Sequence, residues 1–152
     1  MTRIDFYFNV ANKSQLVADL VQTALNKRRQ VTILVADEPA ASQVSSDLWQ
    51  IKPESFLPNV RANALHAAAT PVLIGLQGDN LKNDAIQFNA MQDDMLINLA
   101  ATEPIFFSRY TQLVELVSDD EQDKIAARVR FKFYRDRGYE IKSTDHTQMK
   151  LE

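Results

Sequence analysis

Val31-Thr32-Ile33-Leu34-Val35-Ala36 is six residues of unbroken β-branched and aliphatic character. A strand with one face in water alternates apolar and polar residues, so this run belongs where both faces are covered, the habit of parallel sheets. Parallel neighbours need long crossovers, and the flanking sequence supplies them. Upstream, Ile4, Phe6 and Phe8 alternate with Asp5 and Tyr7 as a first strand. Leu16, Val17, Leu20, Val21, Ala24 and Leu25 then recur at helical spacing, with Asn12 or Ser14 as N-cap and Lys27, Arg28 and Arg29 at the C-terminal end. Downstream, Asp37 can cap a second helix that opens with Glu38 and Pro39 and buries Ala40, Val44 and Leu48. Strand, helix, strand, helix in close succession makes the class α/β.

The rest of the chain extends that pattern. Thr70–Leu76, Asp94–Ala100 and Thr111–Val117 read as further strands, the last with a spacing that also permits a helix. The segment from Leu48 to Val60 carries two prolines and little periodicity, which reads as an extended loop. The clearest helix follows Ser118: this serine can cap it, Asp119, Asp120 and Glu121 suit its N-terminus, and Gly138 suits the position just past its end. The last ten residues, Ser143–Glu152, are polar and read as a loose tail.

A chain of 152 residues fits one domain that buries roughly two-thirds of its unfolded surface. It has no cysteine, which excludes disulfides and thiolate chemistry. The N-terminus lacks a secretory pattern, and no apolar stretch is long enough for a bilayer. A soluble cytoplasmic protein is expected, with no membrane partner.

Catalytic chemistry finds little support. Phosphate cradles need glycines, yet Gly75, Gly78 and Gly138 all lie far from the turn after the first strand, where Asn9-Val10-Ala11-Asn12 stands. His66 and His146 lack partners at metal-ligand spacing, and Asp93-Asp94 at a strand entrance reads as solvated turn. Neither a cofactor nor a metal is expected.

What stands out is charge. From Asp123 to Arg137 there are six basic residues against two acids, so this window carries +4 in a chain of net charge -3, and the remainder sums to -7. On a helical wheel Ile125, Ala126, Val129 and Phe133 group as the core face. Lys124, Arg128, Phe131, Lys132 and Arg135 group on the far side, which sets an aromatic inside a cationic stripe. The plainer reading is a solvated charged face with Phe131 tucked aside. The sharper one is a recognition groove for either single-stranded nucleic acid or an acidic peptide ending in an apolar residue. One aromatic and about 16 Å of helix suit the peptide better. Trp49, Phe56 and Leu57 form a second bulky patch on the Pro-flanked segment, to be read as core or as a partner surface.

The order and spacing of "DFYF", "LWQIKPESFLP", "TPVLIG", "DMLINL" and "KIAARVRFKFYRDRGYEI" resemble the chi subunit family of bacterial DNA polymerase III. The resemblance implies a single three-layer α/β domain over residues 1–142, a mostly parallel sheet with a nucleotide-binding-like outline, no phosphate loop and no catalysis. It implies a heterodimer with the psi subunit, which ties chi to the clamp loader. It also implies a site for the acidic, phenylalanine-ending tail of single-stranded DNA-binding protein, which falls on Lys124, Arg128, Phe131 and Lys132. DNA is then contacted only indirectly. The psi-facing surface would include Trp49 and Phe56, a surface shared with a repair helicase. Phe131 stands where the family often has tyrosine, and Pro58-Asn59 followed by "VRANALHAAA" departs from the family's loop. The competing reading is a module that binds single-stranded nucleic acid directly through the same helix.

Overall fold

A computed structural model of the chain describes residues 2–27, 29–51, 60–61, 72–76, 95–100 and 110–145. The strand–helix alternation is realised as β1 (Arg3–Phe8), α1 (Lys13–Asn26), β2 (Val31–Val35) and α2 (Glu38–Ile51). There follow β3 (Val60–Arg61), β4 (Val72–Leu76), β5 (Met95–Asn98), β6 (Gln112–Leu116), α3 (Glu121–Asp136) and β7 (Ile141–Asp145). The seven strands form one sheet in the order β3-β4-β2-β5-β6-β1-β7, and every pairing is parallel. Thr111–Val117 is therefore strand rather than helix.

The apolar run does what its composition requires. All five residues of β2 are buried, and they alternate between two cores. Val31, Ile33 and Val35 join Met95, Ile97, Val114 and Leu116 against Leu16, Val17 and Val21 of α1 and Leu48 of α2. Leu34 joins Leu96, Leu113, Ile4 and Phe6 against Ala127 and Tyr134 of α3. The molecule is thus three layers, with α1 and α2 on one face of the sheet and α3 on the other.

Capping settles several choices the sequence left open. Asn12 rather than Ser14 caps α1, its Oδ1 accepting from the Gln15 N–H at 3.1 Å. Ser14 instead donates its hydroxyl to Asp47 of α2 at 2.8 Å, which ties the two helices together. Asp37 caps α2 as expected, accepting from the Ala40 N–H at 3.0 Å. At the end of α3, Gly138 takes φ 83°, its N–H bonding the Arg135 carbonyl at 3.0 Å and the Tyr139 N–H bonding the Tyr134 carbonyl at 3.2 Å. This pair of bonds is a Schellman closure, and a residue without Cβ suits its left-handed position.

Four expectations need correction. Ser118 is not the cap of α3; Asp120 occupies that position without a side-chain cap bond. Asp123 reaches back instead, accepting from the Ser118 N–H at 2.8 Å and hydroxyl at 2.9 Å. Trp49 is not in a loop, since α2 continues through Ile51, while Phe56 and Leu57 lie outside the described residues. The tail does not begin at Ser143: Ser143–Asp145 complete β7, which pairs with β1 in register Ile4↔Ile141, Phe6↔Ser143 and Phe8↔Asp145. A strand this polar tolerates the sheet edge because only one neighbour and one face need its side chains.

The fourth correction concerns the orientation of α3. Its buried residues are Ala127, Arg130 and Tyr134, whereas Ile125 and Val129, expected in the core, are 49% and 63% exposed. The helix is turned by roughly a third of a revolution from the wheel's orientation. The cause is Glu115 on β6, fully buried beneath the helix, which draws Arg130 inward.

Candidate functional site

The inward residues of α3 fix where its outward ones point. The Arg130 Nε donates to the Glu115 Oε1 at 2.9 Å, while the Tyr134 hydroxyl and the Asn98 amide donate to Oε2 at 2.6 Å and 3.0 Å. Burial pushes the Glu115 carboxyl above the ordinary glutamate range, and the Arg130 charge with the hydrogen bonds from Asn98, Tyr134 and Arg130 pulls it part of the way back. A carboxylate so enclosed needs these partners, because an unpaired buried charge costs several kcal/mol. Two helical turns are thereby pinned to β5 and β6.

The N-terminal turn of α3 has its own anchor. Asp123 accepts from Lys13 at the start of α1 at 2.8 Å as well as from Ser118. Burial alone would raise its carboxyl, yet the Lys13 and Ser118 hydrogen bonds and the Lys13 charge hold it below the usual range.

With the helix so fixed, Lys124, Ala127, Arg128 and Phe131 border a cleft of about 390 Å³. Its opposite wall is sheet: Phe6 and Phe8 from β1, Ser143 from β7, and Val117 and Ser118 just after β6. Phe131 is half-buried and meets Phe6 edge-to-face, with ring centroids 5.3 Å apart at 61°. The register places Ser143 beside Phe6, so β7 forms the cleft's outer rim. Asn9 closes the end of β1 in a left-handed conformation, φ 59°, with its amide donating to Asp145 at 3.2 Å. An apolar floor flanked by Lys124 and Arg128 can hold a bulky apolar group that carries or adjoins a negative charge.

Three of the four residues expected at the tail site, Lys124, Arg128 and Phe131, thus meet at one cleft. Lys132 does not line it; it is exposed one turn beyond Arg128, on the outer side of the helix. Trp49 lies in the last turn of α2, in the opposite layer from α3, and Phe56 falls outside the described residues. His66, His146 and Asp93-Asp94 also fall outside them. Among the described residues no cluster of three metal-ligating side chains occurs, and no helix is long and apolar enough to cross a membrane.

A second cavity, about 540 Å³, opens at the carboxyl ends of β2, β5 and β6, where open α/β sheets commonly hold ligands. Its wall includes Lys13, Asn98, Asp123 and Arg130, and the two cations there are already paired, Lys13 with Asp123 and Arg130 with Glu115. The turn after β1 that would face a phosphate contains no glycine.

Across residues 1–142 the sequence matches the family model described as DNA polymerase III chi subunit, HolC. The chain belongs to the DNA polymerase III chi-subunit family. It is 33% identical to the DNA polymerase III subunit chi of Pseudomonas aeruginosa over 150 residues, 96% of each chain. It is 27% identical to the subunit chi of Haemophilus influenzae over 127 residues, 84% of this chain and 83% of that one. The Escherichia coli subunit chi is likewise 27% identical over 127 residues, 84% of this chain and 81% of its own. Membership makes this chi-family chain a replication accessory subunit.

Sequence reasoning overlooked the sheet side of the cleft. Phe6 and Phe8 were legible as one face of a strand, but that this face stays partly open depends on the polar edge strand β7 beside it. Glu115 carried a usable signal: a lone acid in "TQLVELV" must find a buried partner, and Arg130 is a cation at helical spacing from Tyr134.

Proposed function

We propose that this chi-family chain is a non-catalytic bridging subunit, holding the acidic C-terminal tail of single-stranded DNA-binding protein at the α3 cleft and psi, with the clamp loader, at a separate surface. The observation that carries the reading is the cleft itself, in which Phe6, Phe8, Val117 and Phe131 provide apolar lining and Lys124 and Arg128 provide charge. The tail's terminal phenylalanine enters the apolar part. Its terminal carboxylate pairs with Arg128, whose planar guanidinium can hold both oxygens. Lys124, and Lys132 further out, attract the acidic residues that precede it.

Several features favour a peptide over direct capture of single-stranded nucleic acid. Phe131 is engaged by Phe6 at 5.3 Å, which leaves less ring for a stacked base. The cleft meets α3 only between Lys124 and Phe131, whereas a nucleotide track needs successive stacking platforms. The charge outside the basic window, -7, opposes a polyanion.

The second surface rests on α2. Because α2, which carries Trp49, packs on the face of the sheet opposite α3, psi at a surface that includes Trp49 leaves the tail site at α3 free, as a bridge requires. A repair helicase using the same residues would compete with psi and leave the tail site free.

The test is titration of a synthetic acidic peptide ending in Pro-Phe into the purified chain. Affinity no tighter than micromolar, about 8 kcal/mol, is expected, since exposed charge pairs contribute little each and one buried ring adds about 1.5–3 kcal/mol. Arg128→Ala should weaken binding at least tenfold, and Trp49→Ala should leave it unchanged. Unchanged affinity in Arg128→Ala sinks the site assignment. Tight binding of a single-stranded oligonucleotide by the isolated chain would favour the nucleic-acid reading instead.

A further inference from the structure

The reorientation of α3 leaves Ile125 and Val129 as exposed large hydrophobic residues, 49% and 63% accessible. They are four residues apart, so they lie side by side on the helix surface. Between them and the cleft runs the outward arc carrying Arg128 and Lys132. In order around the helix come Phe131 at the cleft, then Lys124, Arg128 and Lys132, then Ile125 and Val129. Two of the helix cations are held within it: Lys124 pairs with Glu121 at 3.8 Å and Arg135 with Asp136 at 3.7 Å. Arg128 and Lys132 have no ion-pair partner among the described residues, and in that order they are the cations nearest the apolar pair. A cationic strip with apolar surface on both sides matches an acidic segment that has an apolar group at each end.

We propose that the binding surface continues out of the cleft, across Arg128 and Lys132, onto Ile125 and Val129. Its partner is an acidic peptide with a second apolar residue upstream of its terminal one. This inference rests on the reading of the cleft as a site for a peptide terminus. The spacing follows from helix geometry. From Phe131 to Ile125 is about 120° around a helix of radius about 5–6 Å, an arc of roughly 10–12 Å, with an axial offset of about 9 Å over six residues. The path between them is therefore roughly 14–15 Å, which extended chain covers in about four residues at 3.3–3.6 Å each. The second anchor therefore sits about four positions before the terminal residue, with acids between the two. Lys132, which the cleft alone leaves without a role, lies beneath those acids.

The experiment uses the full chain and two synthetic peptides, measured by fluorescence anisotropy. The first is an acidic peptide ending in Pro-Phe; the second has leucine in place of the aspartate four positions before the terminus. The leucine peptide is expected to bind about five- to tenfold tighter, as for partial burial of one aliphatic side chain. In Ile125→Gln/Val129→Gln, a surface change to a good helix former, the two peptides should bind equally, with the first at its wild-type affinity. Moving the leucine to eight positions before the terminus should also abolish the gain. If the first peptide binds in an Arg128-dependent way but the leucine adds nothing, this inference falls and the cleft reading stands. If neither peptide binds, the cleft reading falls and this one with it.

Discussion

Replacing Arg130 by methionine tests what holds α3 against the sheet. Methionine fills much of the volume of the arginine stem but leaves Glu115 without its cation in a site that is 0% exposed. Breaking a buried pair from one side costs about 3–5 kcal/mol, because the remaining charge stays uncompensated. Here the Tyr134 hydroxyl at 2.6 Å and the Asn98 amide at 3.0 Å still donate to the carboxylate, so the lower end, about 3 kcal/mol, is expected. In a chain of 152 residues that lowers Tm by about 6–12 °C.

The dependence on pH separates lost charge from lost packing. Burial raises the Glu115 carboxyl in the folded state above its unfolded value of about 4.3. The folded state then holds the proton more tightly, so this group's contribution to stability falls as pH rises through the window above that value. Removing Arg130 takes away a charge that lowers the carboxyl, which widens the window upward and deepens the fall. The stability gap between wild type and Arg130→Met should therefore be widest at pH 7 and shrink towards pH 4. Urea denaturation at several pH values, with m unchanged, reads it directly. A second variant, Glu115→Leu/Arg130→Met, should recover most of the loss at pH 7, since apolar replacement of both partners is often neutral. A gap that does not vary with pH, or a double variant no better than the single one, would refute the assignment of Glu115 as a buried carboxylate paired with Arg130.

Asp123→Asn should cost about 1 kcal/mol at pH 7 after allowance for solvent screening, measured by urea denaturation. Because the folded Asp123 carboxyl is held below its ordinary value, its contribution is present above the unfolded value of about 3.9 and fades as pH falls through the folded one. Gly138→Ala should cost about 1 kcal/mol through its positive φ alone, since an added Cβ there meets nothing within 4 Å; thermal denaturation with unchanged peptide affinity is the expected pair of results. Tail-peptide affinity should fall several-fold between 50 and 300 mM salt, as expected for exposed charges, and a flat response by calorimetry would remove Lys124 and Arg128 from the interface.

Much of the fold was legible because it rests on local patterns. The β2 run dictated burial on both faces, and Asn12, Asp37 and Gly138 marked helix ends through chemistry that acts within a few residues. Ser143–Asp145 was missed because a polar edge strand carries almost no apolar alternation; what makes it a strand is β1 beside it, far away in sequence. The orientation of α3 was missed for a related reason. A wheel that turns Ile125, Ala126, Val129 and Phe133 inward cannot know that Glu115 waits beneath the helix, and pairing overrides hydropathy wherever a buried charge must be met. Lys124, Arg128 and Phe131 were nonetheless found, because the wheel gathers them on one arc, and the turn of the helix brings that arc to the boundary of its buried face.

That boundary position explains why charge and apolar lining coexist in one short cleft. With Arg130 neutralised by Glu115, the basic window retains five cations against two acids, +3 instead of +4, and its surface character is set by residues facing away from the core. The inward pin and the outward charges are interleaved on the same turns, with Arg130 between Arg128 and Lys132 in sequence. A rotation of α3 that loosened the Glu115 contact would also shift Arg128 relative to Phe6 and Phe8. The buried pair thus does for the site what an all-apolar face would do less specifically, because an apolar helix can settle in several neighbouring orientations while an ion pair with two further donors to one carboxylate admits few. Registration of α3 by Glu115 is what makes one side of a basic helix a cleft and the other an exposed strip of Lys132, Ile125 and Val129.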